Sequence, residues 1–311
     1  MAGAARPSST SWRSLVTVLT VGETMALLDP HGDGVPGAGT SFTLRFAGAE
    51  SNVAIALARL GVRVTWISRL GRDPFGDMIE DGLRDEGVDV SHVRRDDLRT
   101  GLFLKWRGGD ERGVAYYRAG SAASRLRPED VPDEALAGVR LVHLTGITMA
   151  ISETGRALVV DLARRARDRG AIVLFDPNFR PALPDTPQAA ADRQREVLPY
   201  VDWYLTGESE ARLLWGDEEI PVRTVLRVGA RGAVVDGVTV PPPREVAVVD
   251  EIGAGDAFAA GFAYGLLAGR PPEACAHAGN VLAAHALAGT GDWETLPRLA
   301  DVAGELERLP A

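Results

Sequence analysis

The stretch Val248-Val249-Asp250-Glu251-Ile252-Gly253-Ala254-Gly255-Asp256-Ala257-Phe258-Ala259-Ala260-Gly261 decides how the rest of the chain is read. A strand-like apolar run passes through a glycine-containing turn into an Ala-rich helix. Gly253 and Gly255 carry no Cβ, so the backbone there can come close to a ligand. The first amides of a helix lack partners within it and lie at the positive end of its dipole. Both features suit a phosphate group. Asp256 then sets a carboxylate beside the anion site. It would repel a phosphate, but it can take a hydroxyl proton while the amides stabilise a phosphoryl group in transfer. The competing reading of Asp256 is a helix cap, a role in which Asp stabilises by about 1 kcal/mol.

Outward from this stretch, strand-like and helix-like patterns alternate. Val18 to Leu28 reads as one opening buried strand, and Asn52 to Leu60 as a helix stopped by Gly61. Val64 to Ser68 is a short strand, followed by a helix from Pro74 that closes at Gly87. Leu141 to Thr145, Ile172 to Phe175, Trp203 to Leu205 and Val225 to Val228 are short apolar runs, with helices near Glu153 to Arg169 and Gln188 to Leu198. Short apolar strands joined by helices predict a mostly parallel sheet covered on both faces, an α/β fold. Two places break the rhythm. Phe42 to Phe46 alternates, and Leu102 to Trp106 and Val114 to Tyr117 flank a Gly-rich, hairpin-like turn. These strands are expected in a small separate sheet, which is open to reading as a lid, a dimer interface or edge decoration.

The 311 residues include 34 basic and 43 acidic side chains, a net charge of −9. An acidic chain repels a phosphate backbone on average, so no nucleic-acid partner is expected. The single cysteine, Cys275, cannot form an internal disulfide, which suits a cytoplasmic location. Residues 1–17 read as a flexible tail, and residues 18–311 as one domain with lid strands near 41–47 and 98–119. No apolar run is long enough for a membrane span. The histidines show no metal-ligand spacing, and Trp203 and Trp215 read as packing residues.

Asp250 to Gly261 resembles the C-terminal signature of the ribokinase-like (PfkB) carbohydrate kinases, D-T-x-G-A-G-D-x-F-x-x-G. Gly48-Ala49-Glu50-Ser51-Asn52-Val53-Ala54, followed by Ala56-Leu57-Ala58-Arg59-Leu60-Gly61, is similar to the family's N-terminal signature. Gly71-Arg72-Asp73-Pro74-Phe75-Gly76 is similar to its G-x-D-x-F-G. The resemblance implies a three-layer α/β/α sandwich with a β lid, ATP and Mg²⁺ as cofactors, and a primary hydroxyl as acceptor. It makes Asp256 the base and the amides of Gly253, Ala254 and Gly255 the anion hole.

Tyr116-Tyr117-Arg118 and Asp176-Pro177-Asn178-Phe179-Arg180 look like strings of the family's 2-keto-3-deoxygluconate kinases. Two arginines near one pocket suit an acid sugar, because the guanidinium fork binds carboxylates in bidentate fashion. By that resemblance Gly48, Asn52, Tyr116, Arg118, Arg180 and Asp292 bind the sugar. Glu210, Arg227, Gly229, Gly232 and Asn280 fall on the nucleotide side, with Glu210 reaching Mg²⁺ through water. Glu251-Ile252 departs from the usual T-x and leaves a monovalent cation there as an open alternative. The segments on the nucleotide side, from Glu210 to Asp250, look shortened for the family. A homo-oligomer formed through the lid is expected. The alternatives in function are a fructokinase or ribokinase-type kinase for a neutral sugar, or a catalytically weakened sugar-binding homologue.

Overall fold

The computed structural model describes Arg13 and residues 17–108, 111–183 and 185–307. The tail therefore falls outside it except for Arg13 and Thr17, as do Gly109 and Asp110 of the hairpin turn. The chain begins β1 (Thr17–Val21), β2 (Met25–Pro30), β3 (Phe42–Ala47), α1 (Ala49–Arg59), β4 (Arg63–Ile67) and β5 (Arg69–Gly71). Next come α2 (Pro74–Asp85), β6 (Arg94–Asp96), β7 (Leu102–Gly108), β8 (Glu111–Tyr117), β9 (Val139–Thr145) and α3 (Gly146–Ile151). Then follow α4 (Glu153–Asp168), β10 (Ile172–Asp176), α5 (Pro187–Val197), β11 (Trp203–Gly207), α6 (Glu208–Trp215) and β12 (Thr224–Arg227). The last elements are β13 (Ala233–Val235), β14 (Val238–Val240), α7 (Ala254–Leu267), α8 (Pro272–Leu287) and α9 (Leu299–Glu307).

The central sheet has the order β14-β13-β12-β11-β10-β9-β1-β4. Strands β12 through β4 pair in parallel, and β13 and β14 add an antiparallel edge. Neighbouring residues of a strand point to opposite faces, so Val18 packs with α1, α7 and α8 while Leu19 packs with α4, α5 and α6. Both faces are thereby buried, as the apolar runs require. The shortened connection from Glu210 still forms a parallel crossover through α6. Helices α7 and α8 approach closely because a Cβ at Gly261 would stand 2.3 Å from the carbonyl oxygen of Ala278. We expect Gly261→Ala to lower the melting temperature by several degrees, read by thermal unfolding, because overpacking costs roughly 1–3 kcal/mol.

One expectation fails here. Val18 to Leu28 is not one strand: β1 ends at Val21, and Gly22-Glu23-Thr24 carries the chain into β2 of a second sheet. The reason lies in Glu23, a buried carboxylate whose partners, Arg118 and Ser121, come from the β8 side. A continuing core strand would leave that charge unpaired among apolar side chains.

The second sheet, β3-β2-β7-β8, is the expected lid. Along β7 the residues alternate: Phe103 and Lys105 are buried and face the cleft, while Leu102 and Leu104 are half-buried on the outer side. Leu44 and Tyr117 are also exposed there. Among the described residues no helix is long and apolar enough to cross a membrane. Trp203 and Trp215 are core residues, packed edge-on against Phe262 and Tyr204.

Candidate active site

Asp256 lies in the first turn of α7 and does not cap it. The N-cap is Gly253, in a left-handed conformation (φ 77°) and with no side-chain cap. The run before it, Val248 and Val249, is exposed and forms no strand, contrary to the sequence reading. Asp256 is instead gripped by two amides. Asn52 Nδ2 donates to its Oδ2 at 2.8 Å, and Asn178 Nδ2 to its Oδ1 at 3.3 Å. Burial pushes the carboxyl up to about 7, against the opposing effects of the Asn52 bond and the Arg180 charge. A carboxylate tuned near neutrality can both hold and release a proton, as a general base must.

The turn beside it is shaped for close approach. A Cβ at Gly253 would stand 2.1 Å from the carbonyl oxygen of Asp292, and one at Gly255 would stand 3.0 Å from Arg227 Nη1. The first bond of the helix runs from Ala257 N to Gly253 O, at 2.9 Å. Ala254 N makes only a long 3.4 Å contact with Glu251 O, and the amides of Gly255 and Asp256 belong to the turn that has no acceptor within its helix. These N–H groups are left without good acceptors inside the helix, the arrangement that suits an anion.

The turn, the lid and the ends of the core strands enclose a cleft of about 770 Å³. Its cations are mostly compensated. Lys105 Nζ lies 3.0 Å from Asp292 Oδ2, Arg118 Nε donates to Glu23 Oε2 at 2.7 Å, and Arg227 Nη1 donates to Asp176 Oδ2 at 2.7 Å. Arg180 differs. Among the described residues no carboxylate lies within salt-bridge distance of it, and its bond to Phe179 O is long at 3.4 Å.

Gly48, Tyr116, Arg118, Arg180, Arg227 and Asp292 all line this cleft with Asp256. Their partners change the reading of several. Asn52 lines it too, and its amide donates to Asp256. Arg118, expected to meet a sugar acid, is neutralised by Glu23, and Asp292 by Lys105. Arg227 faces Asp176 and the carbonyl oxygen of Gly255 (3.2 Å), which places it beside the anion turn. Glu210 accepts from Phe179 N at 2.7 Å and Thr206 Oγ1 at 2.7 Å, and burial with the Asp176 charge raises its pKa. Gly229, Gly232 and Asn280 do not line the cleft. Asn280 Nδ2 donates to Val240 O at 2.9 Å and Pro241 O at 3.2 Å, which ties α8 to the sheet edge.

Sequence reasoning did not single out Glu23, Lys105 or Asn178. Lys105 is a cation on the buried side of an alternating strand, a detectable signal. Asn178, read only as part of the Asp176–Arg180 string, adopts φ 45°, and its buried Oδ1 has no partner among the described residues; only the fold reveals this.

These residues fit a phosphorylated donor accompanied by Mg²⁺. The glycine turn is a cradle that a Cβ would fill. Among the described residues no group of three or more His, Cys, Asp or Glu could hold a metal ion. Since Glu210 and Asp176 already have partners, Mg²⁺ would be carried by phosphate oxygens and water, with Glu210 reached through a water. Mg²⁺ tolerates such binding because it keeps several of its waters.

A doubly covered parallel sheet, a small second sheet, and a buried carboxylate beside a helix N-terminus thus meet at one cleft. The chain belongs to the pfkB family of carbohydrate kinases, whose model matches residues 17–298. It is 34% identical to a 2-dehydro-3-deoxygluconokinase of Bacillus subtilis (strain 168), covering 90% of this chain and 92% of the relative. A crystal structure of a PfkB protein from Polaromonas sp. JS666 superposes with a TM-score of 0.83 at 35% identity, over 93% of this chain and 99% of the other. A fructokinase with bound ATP from Xylella fastidiosa gives 0.81 at 25% identity, over 94% and 98%. The chain is accordingly a carbohydrate kinase.

Proposed function

We propose that this kinase phosphorylates the primary hydroxyl of a small sugar acid, 2-keto-3-deoxygluconate, to give the 6-phosphate, with ATP as donor. The observation that carries the choice of an acid is Arg180, the one cleft cation among the described residues with no carboxylate within salt-bridge distance, although its charge acts on Asp256 from farther off. A buried or half-buried guanidinium without a counter-ion is satisfied by an anionic substrate, and its fork suits a carboxylate. The relative from Bacillus subtilis, named for the same acid sugar, supports the reading.

Bound Mg-ATP supplies the transferable phosphoryl group. The residues of the chain do the rest. Gly48, Tyr116 and Arg180 hold the sugar, with Asp292 at the side of the cleft. Asp256 Oδ accepts the proton of the primary hydroxyl as its oxygen forms the new P–O bond, and the bond from the transferring phosphorus to the leaving ADP breaks. The amides of the Gly253-Ala254-Gly255 turn, with Arg227 behind them, stabilise the charge on the moving group. Asn52 and Asn178 fix the carboxylate in line, and the lid excludes water.

The decisive experiment is ADP release measured over a panel of sugar acids and neutral sugars. The reading requires the keto-acid to give the highest kcat/KM; fructose or ribose in first place would replace it with the neutral-sugar reading. That alternative draws on the same cleft, since the Arg118–Glu23 and Lys105–Asp292 pairs could hold hydroxyls. Sugar binding with no ADP formed would favour a weakened homologue. In the same assay Arg180→Ala should cost the keto-acid about tenfold to a hundredfold in kcat/KM, the scale of a charged hydrogen bond, and fructose far less. Equal losses for both sugars would remove Arg180 from acid recognition.

A homodimer formed through the outer lid face belongs to the same proposal. Leu44 and Tyr117 are exposed and Leu28 and Leu104 half-buried there, so among the described residues that face is apolar and incompletely covered. Sedimentation of the wild type against Leu44→Glu tests it; a monomeric wild type would refute it.

A further inference from the structure

Residues 291–294 bridge two parts of the molecule that must cooperate. On the lid side they make three attachments. Lys105 of β7 pairs with Asp292, Arg45 of β3 meets Glu294 Oε1 at 2.7 Å, and Trp293 Nε1 donates to Phe46 O at 2.9 Å. The rings of Phe46 and Trp293 also lie 5.0 Å apart. On the other side, the carbonyl oxygen of Asp292 occupies the space where Gly253 would have a Cβ. The bridge is itself stiff. Glu294 Oε2 accepts from Asp292 N at 2.9 Å and Trp293 N at 3.1 Å, and Arg59 Nη1 of α1 donates to Trp293 O at 3.0 Å. Lys105 and Asp292 have side-chain exposures of 7% and 10%, so their attraction is little screened by water.

We infer that this segment is a strap through which the lid residue Lys105 positions the Gly253 turn, so that Lys105 acts on the phosphoryl-transfer step by way of Asp292. The inference rests on the reading that the Gly253 turn holds the transferring group. A displaced Asp292 backbone shifts the turn, because the two chains are already at contact distance and glycine offers no side chain to yield. Sugar seated under Phe103 and Tyr116 shares a lid strand pair with Lys105, so the strap ties the sugar end of the cleft to its phosphate end.

Lys105→Met and Lys105→Arg test this against a direct sugar contact. As a positioning residue, Lys105→Met should lower kcat about tenfold, within the usual range of coupling free energies. KM for sugar and ATP should stay within about twofold, the pattern of a lost transition-state interaction. Lys105→Arg should recover most of the loss. A second reading needs no turnover. In unliganded protein labelled with ¹⁵N-glycine, the Gly253 amide resonance, identified by its absence in Gly253→Ala, should move in Lys105→Met and return in Lys105→Arg. An unchanged kcat, a raised sugar KM with kcat intact, or an unmoved Gly253 resonance would each overturn the strap. If Lys105→Met fails to fold, Lys105→Met with Asp292→Asn removes both charges, and the same readings decide. Should Gly253→Ala itself leave kcat intact, the anion-hole reading falls, while the resonance still reports on the strap.

Discussion

Asp256→Asn should lower kcat by at least about a hundredfold, the usual scale for loss of a general base, and leave the dissociation constant of the sugar nearly unchanged. Asn52 can still donate to the remaining oxygen of the new side chain. Asn178 can turn its amide so that its unpartnered Oδ1 meets the new NH₂, so the substitution need not disturb the fold. The variant should also alter stability in a definite direction. The Asp256 carboxyl is raised to about 7 in the native protein, so the folded state keeps a proton that the unfolded chain gives up. Its stabilising contribution is complete below the ordinary carboxyl range, near pH 4, and is lost as pH rises through about 7. Asparagine carries no such penalty. At pH 8 the inactive variant should therefore melt above the wild type, with the gap closing toward pH 4. A lower melting temperature for the variant at pH 8 would show that the carboxylate is a structural tie.

Gly253→Ala is expected to be the second most damaging single change. The residue sits at φ 77°, where a side chain costs roughly 1–2 kcal/mol. Its Cβ would also stand 2.1 Å from backbone at Asp292, so the turn itself must move. The amides that follow then leave the position of the transferring group. Turnover should fall about a hundredfold to a thousandfold, as when a donor is removed from an anion hole. Gly255→Ala should do much less. Its Cβ would meet the end of the Arg227 side chain at 3.0 Å, and that end can shift. Single-turnover rates of the two variants at saturating substrates give the comparison; equal rates would mean that the turn does not hold the phosphoryl group.

The fold was legible because its apolar runs are short, punctuated and separated by amphipathic segments. Parallel strands buried on both faces leave such a trace. The second sheet was legible from alternation at Phe42 to Phe46 and from the hairpin-like turn between Leu102 to Trp106 and Val114 to Tyr117. The break at Gly22 was not, because Val18 to Leu28 is apolar on both sides of it and the reason for the break, the Glu23 pairing with Arg118, joins residues 95 apart in sequence. The same distance problem separates the cleft residues that could be singled out locally from those that could not. Asp256 declared itself through its own neighbours in the chain. The compensation of Lys105 by Asp292 and of Arg118 by Glu23 cannot be read locally, and among the described residues it leaves Arg180 as the cleft cation without an ion pair. Asn52 lines the cleft as expected, and its bond to Asp256 could not be read locally. Asn280 and Gly232 lie beside the edge strand β14, where polar pairing serves the sheet.

The most direct test is the pH dependence of kcat/KM for the keto-acid, measured in wild type and in Asp256→Asn. With Asp256 as the base, the wild-type profile should fall tenfold per unit below an apparent pKa of about 7, and the residual activity of the variant should lack that limb. A wild-type profile flat down to pH 5, or the same limb in both proteins, would contradict the account.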